Sequence, residues 1–166
     1  MMKIKRILGI AAGLLLLVAG GAAADDAGPS GDDGDVGDAR LLLQAGREEI
    51  IRDEMRLTSG EDTAFWPVYD RYQSELMKVR NRYAVLLTDY VQAYRSGTVS
   101  AEFADQLIDD FLDIQSDILK IKKKHLKDFR KILPARKAAR FYQLENKMDA
   151  ELEGQLSLVV PLIDPV

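Results

Sequence analysis

The chain has 166 residues, with 23 Lys and Arg against 27 Asp and Glu, a single His, a single Trp and no Cys. One histidine excludes any two-histidine metal or catalytic arrangement within one chain. Without cysteine there is no disulfide frame, so packing or association with other chains must hold the fold.

Lys3, Lys5 and Arg6 precede a run from Ile7 to Gly20 that is apolar or glycine. Ala22-Ala23-Ala24 follows, then Asp25-Asp26. Positive, apolar and small-residue segments in that order read as a secretory signal peptide over residues 1–24, cleaved after Ala24. The alternative is an uncleaved membrane anchor, since Ile7 to Ala24 is 18 residues without charge. Either way the expected location is outside the cytoplasm, in the periplasm, which argues against DNA binding and cytosolic metabolism. Removing the leader takes three of the 23 cations and no acid, so the mature chain of 142 residues carries a net charge of -7.

Residues 25–38, DDAGPSGDDGDVGD, hold six Asp and four Gly, and read as a disordered acidic tether. An EF-hand loop begun at Asp33 would need Glu at position 44, where Gln44 stands. The expected domain, residues 39–154, is all-α, a long antiparallel helical hairpin with flanking shorter helices. The first helix is expected from about Ala39 to Leu57, with Leu43, Ile50 and Met55 on one face. Thr58 and Ser59 are N-cap candidates, each with an acid three residues on, Glu61 and Asp62.

A second helix is expected from about Glu61 to Arg95. Phe65, Tyr69, Tyr72, Leu76, Val79, Tyr83, Leu86, Tyr90 and Ala93 alternate spacings of four and three, an unbroken heptad seam. Its tyrosines read as core. Gly97 closes this helix and Ser100 caps the next, from about Ala101 to Lys131. One stripe of that third helix is Ala104, Leu107, Phe111, Ile114, Ile118, Ile121 and His125. A second lies one residue on: Ile108, Leu112, Gln115, Leu119, Lys122, Leu126, Phe129 and Leu133. Two adjacent stripes make a face wider than one partner helix covers. The turn is short, so the two long helices must run antiparallel. If positions summing to about 196 face each other, Lys78, Arg80 and Arg82 lie opposite Asp113 and Asp117, and Asp70 and Glu75 lie opposite the Lys120 to Lys127 run, which selects the register.

Pro134 ends the third helix and is expected as the first residue of a fourth, from about Pro134 to Glu153, with Ala138, Phe141, Leu144, Met148 and Leu152 inward. Residues 155–166 form an apolar tail, read as an extended segment or as a partner-docking arm.

The third helix is polarised. Residues 102–117 hold six acids and no base, and residues 120–140 hold seven Lys and three Arg against Asp128. One reading is matching of the helix dipole, with acids near the N-terminus and bases near the C-terminus. The functional reading is a working surface: Lys123, Lys127 and Arg130 steer, while Leu126, Phe129 and Trp66 contact a client. Such a surface suits acidic or partly unfolded polypeptides, or anionic envelope polymers. His125 reads as a seam residue rather than a ligand, because the flanking lysines oppose a cation. No nucleophile stands beside a histidine base and no glycine-rich phosphate loop is present, so neither enzyme activity nor a cofactor is expected.

Leu57-Thr58-Ser59-Gly60-Glu61 resembles the Leu-Thr-x-x-Gln motif of the Spy/CpxP-like periplasmic proteins. Leu133-Pro134-Ala135-Arg136-Lys137 resembles a degenerate second copy, with Pro134 in place of the threonine. Glu61 stands where the motif has glutamine. The segments from Phe65 to Gln73 and from Lys131 to Leu144 also resemble a group of exported bacterial proteins. The resemblance covers about residues 40–153. It implies an all-helical, antiparallel homodimer with ATP-independent chaperone activity or a role in envelope stress. The partners it implies are unfolded or envelope polypeptides. A regulatory adaptor for the sensor domain of a membrane protein is the alternative, and a metal-responsive stress sensor comes last.

Overall fold

In the computed structural model the described residues are 33–165, and side chains are described from residue 44 onward. The segment expected as a signal peptide, with its cleavage or anchoring, and residues 25–32 of the expected tether lie outside them. The described residues form four α-helices and no strand: α1 (Asp33–Met55), α2 (Ser59–Ser96), α3 (Ala101–Ile132) and α4 (Ala135–Leu156). No helix among them is long and apolar enough to cross a membrane.

α1 starts six residues before the expected Ala39, so tether residues 33–38 are helical. Asp33, Asp35 and Asp38 fall in its first turns. The helix ends at Met55, and Arg56 takes a left-handed conformation (φ 48°). That costs a non-glycine residue about 1 kcal/mol or more.

The fold divides into two compact units. One gathers α1 with residues 141–159. Its buried apolar side chains are Ile50, Ile51 and Met55 of α1 and Phe141, Leu144, Met148 and Leu156 of α4. Arg47 joins the two helices, with Nη1 3.5 Å from Glu145 Oε2 and Nη2 donating to Asp149 Oδ1. Glu145 is fully buried, so its charge is tolerated there because the guanidinium accompanies it.

The other unit gathers residues 57–140 with the tail from Val160. Its α2 opens on a capping box: the Thr58 hydroxyl accepts from the Glu61 backbone N–H, and the Glu61 carboxylate accepts from that of Thr58. Gly97 closes α2 in the left-handed region (φ 66°), and Ser100 caps α3 by accepting from Phe103 N–H. Pro67 is exposed and does not interrupt the helix. Pro134 stands one residue before α4, where its carbonyl accepts from Lys137 and Ala138 N–H. It therefore serves as the cap rather than as the expected first helical residue.

α2 and α3 lie against each other. Contacts run from Phe65–Phe129 through Glu75–Lys124 and Arg82–Asp117 to Tyr83–Phe111. One number falls as the other rises, so the two helices run in opposite directions. The pairs Arg82–Asp117 and Glu75–Lys124 fall among the opposed charge groups that the pattern anticipates.

Candidate functional site

The two motif-like segments meet. Glu61, fifth in Leu57–Glu61, forms an ion pair through Oε2 with Nζ of Lys137, fifth in Leu133–Lys137. Lys137, with the Thr58 backbone N–H behind it, holds the Glu61 carboxyl below its usual value. Leu133 is buried, Leu57 is half-buried and Thr58 and Pro134 are exposed. The segment pair joins the start of α2 to the start of α4, a structural role.

Beside this junction lies an aromatic cluster. Phe65 stacks on Tyr69 with centroids 5.6 Å apart, Phe129 sits 5.5 Å from Phe65, and Tyr72 meets Phe129 edge-on at 5.7 Å. Phe65, Tyr69, Tyr72 and Phe129 are all fully buried. Phe129 is therefore a core residue, not the client contact expected from the sequence. The reason is helical drift. An α-helix turns about 20° per heptad relative to a 3.5-residue repeat. Phe129 comes three heptads after Ile108, so a stripe that is exposed at Ile108 has rotated about 60° inward by Phe129.

Trp66 is half-buried, edge-on to Phe65 and Tyr69, and its Nε1 donates to Asp62 Oδ1 at 2.8 Å. Leu126 is half-buried. Lys123, Lys127 and Arg130 are exposed and enter no ion pair among the described residues. Their neighbours are engaged: Lys120 with Asp117, Lys124 with Glu75 and Lys131 with Asp128. The three cations expected to steer are thus exposed, whereas Phe129 is buried.

The open apolar surface lies on the other half of α3. Ile108 and Leu112 are each 57% exposed, Leu119 is 51% and Phe111 is 39%, with Val85 of α2 at 56%. Ile108, Leu112 and Leu119 belong to the second stripe. Sequence patterning found that stripe, but the contacts named from it came from its other end. The tail also presents Leu162 at 88% exposure, while Pro161 accepts a 2.7 Å hydrogen bond from the Tyr90 hydroxyl. Burial raises the Tyr90 pKa above its usual value, with Tyr94 and Asp164 adding to the effect.

His125 is buried, edge-on to Tyr72 at 5.6 Å, with Nε2 3.3 Å from Glu75 Oε2. Neither ring nitrogen makes a hydrogen bond among the described residues. The Glu75 carboxyl is held below its usual value, first by Lys124 and then by His125. The Glu75 contact was not anticipated, although position 75 falls within the register that the charges define. The Arg47–Glu145–Asp149 group was also missed. Its signal is a charge at an inward position, since Arg47 precedes Ile50 and Ile51 by three and four residues. Among the described residues no three His, Asp or Glu side chains gather as a metal site.

No protein-family model matches this chain, and no curated protein and no solved structure matches it either.

Proposed function

We propose that the chain is a periplasmic, Spy/CpxP-like helical hairpin protein that holds unfolded or stress-damaged polypeptides without ATP. The observation that carries this reading is the line of Ile108, Leu112 and Leu119 on α3, each more than half exposed, continuing toward the free cations Lys123, Lys127 and Arg130. Contiguous apolar surface left in water marks an interaction site. The cations attract an acidic or disordered chain over a Debye length, and the leucines then bury its apolar side chains. Leu126 and Trp66, both half-buried, flank the working surface as secondary contacts. Export rests on the leader-like segment of residues 1–24.

The test is light scattering from a reduced, denatured polypeptide as it aggregates beside the purified chain. Leu112→Glu with Leu119→Glu raises the half-suppressing concentration about tenfold, the equivalent of roughly 1.4 kcal/mol of contact. Reversing Lys123, Lys127 and Arg130 to Glu weakens suppression mainly at low salt. Unchanged suppression by both variants overturns the reading.

A second reading rests on the tail. Leu162 and Ile163 are exposed beyond the Tyr90–Pro161 hydrogen bond, as a docking arm for the sensor domain of one membrane protein would be. Removing residues 162–166 would then abolish stoichiometric recovery of a single envelope protein and leave aggregation suppression intact.

A further inference from the structure

Toward the end of α2 the seam positions Tyr83, Leu86 and Ala93 are half-buried, yet Tyr90 between them is only 4% exposed. The tail sets Tyr90 apart. The Tyr90 hydroxyl donates a 2.7 Å hydrogen bond to the carbonyl oxygen of Pro161, within the same compact unit. Tyr94, one turn on, has its ring centroid 6.2 Å from that of Tyr90 and is half-buried. The tail is held lightly. Val160 and Pro161 are half-buried, whereas Leu162 is 88% exposed and Ile163 43%. A segment serving only to complete a core would turn its leucine inward. One neutral hydrogen bond adds little net stability. The contact is also not particular to this tail, because its acceptor is a main-chain carbonyl, which every extended chain offers.

We infer that Tyr90 and Tyr94 form a peptide site, that the chain's own residues 160–165 fill it, and that an extended, apolar, proline-containing segment of a client displaces them. Proline suits the site. It has no N–H to satisfy, its ring fixes its own φ, and it holds the preceding residue extended. Pro161 and Pro165 therefore leave the segment little freedom to lose on docking. Aromatic rings that carry a donor are a general way to bind such segments. The tail is thus a built-in competitor. Because it is tethered, it acts at an effective concentration on the order of millimolar. A client gains the site only when other contacts already hold it, such as those with Leu112 and Leu119. The inference rests on the polypeptide-binding reading for the identity of the displacing chain, and not for the existence of the site.

The experiment follows the fluorescence anisotropy of a labelled, capped peptide with the sequence of residues 157–165 as the full chain is added. Wild type binds it weakly, because the tail is in place. Val160→Asp with Pro161→Gly loosens the tail and tightens peptide binding about tenfold or more. Pro161→Gly alone loosens it less and gives a smaller gain in the same direction, so the result does not hang on how the double variant folds. Adding Tyr90→Phe, which keeps the ring and removes the hydroxyl, cancels most of the gain. Burial, Tyr94 and Asp164 together raise the Tyr90 pKa, and in the loosened chain its labelled ring signal should titrate at lower pH. Equal binding by wild type and both loosened chains overturns the site, and so does a gain that Tyr90→Phe leaves intact. In the aggregation assay the loosened chain suppresses at a lower concentration than wild type. Peptide binding without suppression by any chain leaves the site standing and removes the holding reading. Suppression without peptide binding keeps that reading and overturns the site.

Discussion

At one end of the α2–α3 pair Phe65, Tyr69, Tyr72 and Phe129 are fully buried, while at the other Phe111 is 39% exposed and Leu112 57%. The seam on α2 has the same spacing throughout, so periodicity does not set the difference. A helix pair buries one stripe on each member and leaves the neighbouring stripe open. Near Phe129 a third element is present: the first turn of α4 reaches α2 through Lys137–Glu61, and Leu133 and Ala138 are buried there. Toward the turn only Tyr90 and Ile114 are buried beyond residue 80 of α2 and before residue 118 of α3. One end of the pair is built as a core, and the other is built as a surface.

The largest effects should expose that division. Phe129→Ala removes a fully buried ring that touches Phe65 and Tyr72, and is expected to cost about 3–5 kcal/mol by urea unfolding. Leu112→Ala, at an open position, should change stability by about 0.5 kcal/mol or less. Equal losses at the two sites would mean that the turn end is enclosed in solution.

The junction of α2 and α4 gives the next effect. Thr58→Ala removes the hydroxyl that accepts from Glu61 N–H, and is expected to cost about 1 kcal/mol. Glu61 adds a pH dependence with a defined sign. Its folded pKa lies below the ordinary 4.5, so its contribution is complete above that value and is lost as pH falls through the folded value. Wild type should thus be more stable than Glu61→Gln at neutral pH, and the gap should close on acidification below about pH 4.5. A gap that is constant from pH 7 to pH 3 would assign the difference to something other than the carboxylate.

Much of this arrangement is legible in the sequence where chemistry is local. Thr58, Ser100 and Gly97 cap as their types demand, and the four-three spacing of α2 marks Tyr69 and Tyr72 as core. What is not legible depends on other segments. Phe129 and Ile108 occupy equivalent heptad positions, and only accumulated drift and the presence of α4 bury the first and leave the second open. The start of α1 at Asp33 departs from the tether that its glycine- and aspartate-rich composition predicts. Arg47 stands at an inward position of α1, but nothing local marks Glu145 as its partner, and their burial follows from one another across 98 residues of chain.

The smallest effect belongs to the cross-helix pairs, and it sharpens the comparison from the side of register. Arg82 Nη1 lies 2.8 Å from Asp117 Oδ2, and the Asp117 carboxyl is held below its usual value by Arg82 first and Lys120 second. Arg82 is 53% exposed, so water screens the pair, and two ordered side chains offset part of its attraction. Arg82→Ala should leave the urea midpoint within error of wild type. Arg82→Asp should do more, because it sets two carboxylates against each other in the part of the helix pair that has no third layer to hold the alignment. The exchange Arg82→Asp with Asp117→Arg restores the attraction and should restore the midpoint. If Arg82→Asp is as silent as Arg82→Ala, the buried aromatic end alone fixes how α2 and α3 align, and the charges along the open end are left to act between chains.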